Sequence, residues 1–182
     1  MKKFAYFPGC SLEKMAQSYH LSALETTRKL DVELQELEDW NCCGATAYFH
    51  VDELLAYTLT ARNLAMAEKD GLDLVAPCSA CYKNAFFTSA YLREDPELAE
   101  HINYALAEDN LEFAGESAVH HLMEVFVNEV GLEEVESKVS NPLNGMRVAP
   151  YYGCQILRPR KDHEDVESPQ FFEDLMSAIG AE

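Results

Sequence analysis

Three short apolar runs constrain this chain most, because each leads into cysteine. The run 4–7 closes on Pro8-Gly9-Cys10, the less regular run 31–38 leads to Cys42-Cys43-Gly44, and the run 72–77 ends at Cys78-Ser79-Ala80-Cys81. Between them lie helical patterns. Residues 11–30 start with Ser11 as a cap and place Leu12, Met15, Ala16, Tyr19, Ala23 and Leu30 at helical spacing. Residues 51–71 start at Asp52, carry a stripe through Leu54, Tyr57, Ala61 and Leu64, and stop at Gly71. Strand, helix, strand, helix, strand is the signature of crossovers, so an α/β fold is expected, a parallel sheet flanked by helices. All five of these cysteines then fall at the carboxyl edge of the sheet, where open α/β sheets place ligands.

Adjacent cysteines point apart on a strand or a helix. One small ion can hardly be chelated by Cys42 and Cys43 together without strain, whereas an iron–sulfur cluster offers several irons some ångströms apart. The Cys78/Cys81 spacing alone also suits zinc ribbons and thioredoxin-like dithiols, so a zinc-binding, non-catalytic module, or a metal-free chain, stays open. Cys78 and Cys81 precede or open a helix, whose N-terminus favours thiolates, and Gly9 and Gly44 permit close backbone approach.

The bulk numbers narrow the partners. A formal charge of −18, from 32 acidic against 14 basic residues, repels nucleic acid and anionic membranes. No apolar run is long enough to span a bilayer, and Pro8-Gly9 interrupts any signal-peptide core, so a cytoplasmic chain without membrane insertion is expected. Six cysteines are too few and too clustered for a disulfide scaffold. The acidic runs 33–40, 93–100 and 131–137 lack the spaced ligands of a calcium loop and read as solvated faces.

Further helices are expected over 81–94, over 96–108 with Asp95 as N-cap and Pro96 behind it, and over 118–131. The turn-rich stretch 136–145 marks a boundary, giving units 1–140 and 141–182. Beyond it an echo appears: 147–157 repeats the layout of 3–12, aligning Cys154 with Cys10, Gly153 with Gly9 and Ala149 with Ala5.

Through "FPGC" (7–10), "NCCG" (41–44), "PCSAC" (77–81) and "APYYGCQILRP" (149–159), the chain resembles the B subunit of heterodisulfide reductase, a protein of cysteine-rich CCG domains. The resemblance implies a noncubane 4Fe–4S cluster held by Cys10, Cys42, Cys43, Cys78 and Cys81, with Cys154 opening a second such site. It further implies an oxidoreductase subunit that passes electrons to a small disulfide. The implied partners are a ferredoxin-like C subunit and a flavin-containing A subunit. A second CCG at the spacing of the first would fall just beyond Glu182, so this chain is expected to stop within its second CCG domain and to be inactive alone. CCG domains also occur in electron-transfer subunits of flavin-linked dehydrogenases. Some of those carry a ferredoxin-like cysteine run, which this sequence lacks, favouring the heterodisulfide reductase branch.

Other residues read as structural. His120 and His121 sit in the helical pattern of 118–131, one facing solvent and one packed; His50 reads as a turn residue. Arg158, Arg160 and Lys161 form a solvated basic cluster, and Tyr6, Phe7, Tyr151 and Tyr152 read as core around the two Gly-Cys turns.

Overall fold

The computed structural model describes residues 1–45, 47–159 and 166–182. Strand β1 (Lys2–Tyr6) is central, with Phe4, Ala5 and Tyr6 buried. On one side β2 (Val32–Glu36) pairs parallel to it, from Lys2 opposite Val32 to Tyr6 opposite Glu36. On the other lies β3 (Leu74–Ala76), parallel again, with Ala5 opposite Leu74. The parallel α/β sheet expected from the cysteine-terminated runs is therefore present.

A fourth strand was not expected. Val119–His121 forms β4, parallel to β3, with Leu74 opposite Val119 and Ala76 opposite His121, giving the order β2-β1-β3-β4 among the described residues. This corrects the helix expected over 118–131. The open edge of β3 needs a partner, and Val119 and His121 both turn inward. The apolar spacing of Leu122, Val125 and Phe126 does make helix, but only beyond the strand.

The first crossover is α1 (Gly9–Lys14) and α2 (Gln17–Lys29). The single helix expected over 11–30 breaks at Ala16, whose φ of −118° and ψ of 39° leave helical space, and Met15 is 92% exposed rather than packed. In the second crossover α3 (Ala47–Val51) precedes α4 (Glu53–Lys69). Asp52 caps α4 as expected, accepting the Leu55 N–H at 3.0 Å. The buried face of α4 runs through Ala56, Thr60, Ala61, Leu64 and Ala67, while Leu54 in the first turn faces solvent, so the apolar stripe starts later than expected. Removing the cap by Asp52→Ala is expected to cost about 1 kcal/mol, read as a lowered thermal midpoint; an unchanged midpoint would deny the cap its role.

Helix α5 (Ser79–Glu94) follows β3 and turns at Asp95 into α6 (Pro96–Leu106), where Asp95 accepts the Leu98 N–H as expected. A core of Phe7, Leu64, Leu74, Tyr82, Leu92 and Ile102 fills one face of the sheet. Phe4, Ala23, Val32, Val75, Leu122 and Val125 fill the other. After β4, α7 (Leu122–Glu124) runs into a π-helical stretch, Val125–Gly131, and then α8 (Leu132–Lys138), which enters the stretch read as a boundary.

The C-terminal segment packs back. Helix α9 (Cys154–Leu157) lies against α5, and α10 (Phe171–Ala178) against α8, with Leu175 joining Leu30 and Val135 in a small third core. The echo of 3–12 is partial. Cys154 opens a helix much as Cys10 does, but Gly153 has a φ of −96° where Gly9 has +72°. In place of a β1-like strand, Val148 N–H donates to the Glu182 carbonyl at 2.7 Å and Glu182 N–H to the Met146 carbonyl at 2.8 Å, the spacing of a parallel pair. Tyr151 is 94% exposed, correcting its expected core role, whereas Tyr152 is half-buried, its hydroxyl accepting the Phe172 N–H and bonding Glu173. No helix among the described residues is long and apolar enough to cross a membrane.

Candidate functional site

Each of the first three strands delivers its cysteines to the same edge. Past β1 the chain turns at Gly9, where the left-handed φ of +72° suits glycine, into Cys10 on α1. An added Cβ there would sit 2.7 Å from the Cys81 Sγ, so Gly9 also clears room for sulfur. Past β2 the loop 37–45 carries Cys42 and Cys43, and past β3 Cys78 caps α5 with Cys81 in its first turn.

The adjacent pair diverges. The Cys42 Sγ lies 3.5 Å from the Cys10 Sγ, whereas the Cys43 Sγ lies 3.4 Å from the Cys81 Sγ. One loop thus joins the β1 turn to the α5 N-terminus through two neighbouring residues. Cys10 is exposed, Cys42 and Cys78 are half-buried, and Cys43 and Cys81 are buried, so the group runs from surface to interior.

Hydrogen bonding sorts the protonation. The Cys81 thiol, reinforced by the backbone N–H groups of Cys81 and Ala80, holds Cys78 down to about 6 against the cost of burial. Cys81 likewise lowers Cys43 to about 7, with help from the Ala45 N–H and Asn84. Cys81 itself is pushed up, because it keeps the proton shared with both neighbours. Burial raises Cys42, opposed by the Gly44 N–H that points at its sulfur from 3.4 Å. Two of the five thiols are therefore poised as thiolates near neutral pH, the form that ligates metal.

The loop is held by side chains that the sequence reading missed. Asn63 grips Asn41 at both backbone groups, accepting its N–H at 3.1 Å and donating to its carbonyl at 2.8 Å. Asn84 donates to the carbonyls of Cys43 at 3.2 Å and Ala45 at 2.8 Å, spanning the left-handed residues Gly44 and Ala45. Arg62 ties down the loop start, bonding the Asp39 carbonyl at 2.7 Å and the Asp39 and Asp109 carboxylates. Asn63 and Asn84 are almost fully buried in helix interiors. Amides at core-facing helical positions beside a cysteine motif were the available signal.

Among the described residues no group of three or more His, Cys, Asp or Glu side chains closes around a single ion. The thiols instead fall into two groups, Cys10 with Cys42, and Cys81 with both Cys43 and Cys78. His50 is exposed at the end of α3. His120, on β4 rather than on a helix, sits near Asp73 and edge-on to Phe4. Arg158 pairs at the surface with Glu167, while Arg160 and Lys161 lie outside the described residues. Cys154 is exposed and joins neither of these thiol groups.

Residues 4–84, which contain all five cysteines, match the family model of CCG, the cysteine-rich domain. The cysteine-bearing stretch is similar to a CCG domain. Over its full length it is 39% identical to the 8-methylmenaquinol:fumarate reductase membrane anchor subunit of Wolinella succinogenes, covering 63% of that protein. It is 30% identical to the B subunit of the ferredoxin/F(420)H(2)-dependent CoB-CoM heterodisulfide reductase of Methanosarcina acetivorans, covering 61% of it. The chain thus spans less than two thirds of these relatives' length, and both relatives are subunits of oxidoreductases. A hypothetical protein from Helicobacter pylori shares the fold, with a TM-score of 0.62 at 23% identity over 68% of this chain and 24% of that one.

Proposed function

We propose that this CCG domain belongs to an iron–sulfur redox subunit that reduces a disulfide. Cys10, Cys42, Cys43, Cys78 and Cys81 hold a noncubane 4Fe–4S cluster. The observation that carries the reading is the divergence of Cys42 and Cys43 onto separate thiol partners at one sheet edge. The donor set fits: five thiols, two of them held toward thiolate, and a glycine where a Cβ would strike sulfur. A bound cluster supplies single electrons, and two of them with two protons convert a disulfide to two thiols. The protein's own part is to fix the loop through Asn63 and Asn84, to keep Cys43 and Cys81 from water, and to leave Cys10 open to a small disulfide.

In this reading residues 1–140 form the first CCG unit and residues 141–182 begin a second, opened by Cys154. The electrons arrive through a ferredoxin-like subunit and a flavin-bearing subunit of a heterodisulfide reductase complex. The 39% identity to a fumarate reductase subunit favours a second reading, in which the same cluster relays electrons within a flavin-linked enzyme without meeting a disulfide. The divergence of Cys42 and Cys43 onto separate thiol groups does not favour single-ion zinc.

Iron, acid-labile sulfide and the visible spectrum of anaerobically purified protein test the proposal beside the Cys42→Ala/Cys43→Ala variant. The expected result is about four irons per chain, lost in the variant. Zinc alone, or no iron even after reconstitution, would overturn it.

A further inference from the structure

Beneath the thiols lies a buried side chain that is not itself a cluster ligand. His121 ends β4, and the register that sets it opposite Ala76 brings its ring beside the turn 77–79 that presents Cys78. Its Nδ1 accepts the Met123 N–H at 3.2 Å, so in the neutral ring the proton sits on Nε2. That Nε2 faces the Ser79 hydroxyl at 3.4 Å, and the Pro77 carbonyl, which accepts the Tyr19 hydroxyl at 3.4 Å, is near enough to favour a proton on the ring. Pro77 and Ser79 are the two neighbours of Cys78. The ring is 4% exposed and braced edge-on by Tyr82 at 5.5 Å. Its own backbone N–H is held by the Glu124 carboxylate at 2.7 Å, which also accepts the Tyr82 hydroxyl at 3.1 Å.

We propose that His121 is a positioning residue for Cys78: from the fourth strand its Nε2–H fixes the Pro77–Ser79 turn and so aims the Cys78 sulfur at its neighbours. The inference deepens the cluster reading and rests on it for its purpose. The geometry it describes belongs to the metal-free protein as well. His121 touches no thiol; it acts through the backbone carbonyl before Cys78 and the hydroxyl after it. Burial keeps the ring neutral, so it remains a single-proton donor with a fixed tautomer. Without that donor the turn keeps only its backbone pairing to β4 at Ala76 and loses the side-chain link, so the Cys78 sulfur is free to swing.

The test compares wild type, His121→Gln, which keeps an N–H at the reach of Nε2, and His121→Leu, which keeps bulk without a donor. Site-resolved alkylation of the metal-free full chain by iodoacetamide is read by mass spectrometry, with the exposed Cys154 as internal standard. The ratio of Cys78 to Cys154 labelling is expected to change by about threefold or more in His121→Leu and to return toward wild type in His121→Gln. An unchanged ratio in His121→Leu, or an equal change in both variants, would overturn the proposal. If circular dichroism shows His121→Leu unfolded, Ser79→Ala, which removes one acceptor of the same link, must change the ratio in a folded chain or the proposal fails. Iron uptake by wild type is measured on parallel samples, so failure of the cluster reading is seen apart from failure of the positioning role.

Discussion

Replacing Asn84 by leucine is expected to destabilise the protein by about 2–4 kcal/mol, because the buried Cys43 carbonyl loses its donor at a cost of roughly 1–3 kcal/mol and the part-buried bond to the Ala45 carbonyl adds about 1 kcal/mol. Leucine matches the shape of asparagine, so packing along α5 is nearly preserved and the loss isolates hydrogen bonding. Asn84 and Cys43 lie almost wholly out of water, leaving the Cys43 carbonyl no ready substitute donor, whereas exposed Ala45 can turn to solvent. Ala45 holds a φ of +46° without being glycine, a strain that the Asn84 bond offsets. The effect should begin at the loop. Trp40, the only tryptophan, stacks edge-on against Phe7 at 5.3 Å just before Cys42, so its fluorescence reports the loop while circular dichroism reports the helices. In urea the fluorescence midpoint of the variant should fall below both its own circular dichroism midpoint and the wild-type value. A variant as stable as wild type by both probes would show that the clamp is idle.

That clamp marks the limit of what the sequence displayed. The three strand ends were readable because each apolar run stops at a turn residue and then a cysteine, and the caps Asp52 and Asp95 because capping chemistry is local. The fourth strand was not. Three residues cannot display a period of two, and the apolar spacing that follows at Leu122, Val125 and Phe126 suits a helix, so the two elements merged into one pattern. His121 was misplaced with them, although its partners Pro77 and Ser79 belong to the best-read motif of the chain. Asn63 and Asn84 went unnoticed for a related reason: an asparagine inside a helix reads as a weak helix former, and only the tertiary structure shows which carbonyls it meets. The cysteine constellation was legible as a set, but not the partition of Cys42 toward Cys10 and Cys43 toward Cys81, which depends on the left-handed turn at Gly44 and Ala45.

The buried imidazole also makes the fold sensitive to acid. Burial lowers His121 from 6.5 to about 4, although the Pro77 carbonyl works in the opposite direction. Facing it are Ser79 and Tyr82 from α5 and Glu124 from α7, whose carboxylate is engaged with Tyr82 and with the backbone N–H of His121 itself. Between those two pH values the unfolded chain binds a proton that the native ring refuses. Stability is therefore fully present above about pH 6.5 and falls as pH drops toward about 4, by up to about 3 kcal/mol. Below that the ring protonates in both states and adds no further slope. In metal-free protein the thiolates of Cys78 and Cys43 contribute a separate slope at higher pH, since their lowered values are lost as pH falls from 9.0 toward about 6 and about 7. His121→Gln separates the two, because it removes the imidazole and keeps both thiols. Urea midpoints of wild type should drop between about pH 6.5 and about pH 4.5, while His121→Gln, though less stable near neutrality, should drop far less over the same interval. Parallel pH curves for the two proteins would mean that the ring is protonated in the native state with a counter-charge at hand, and that the neutral tautomer assigned to it from the Met123 N–H is wrong.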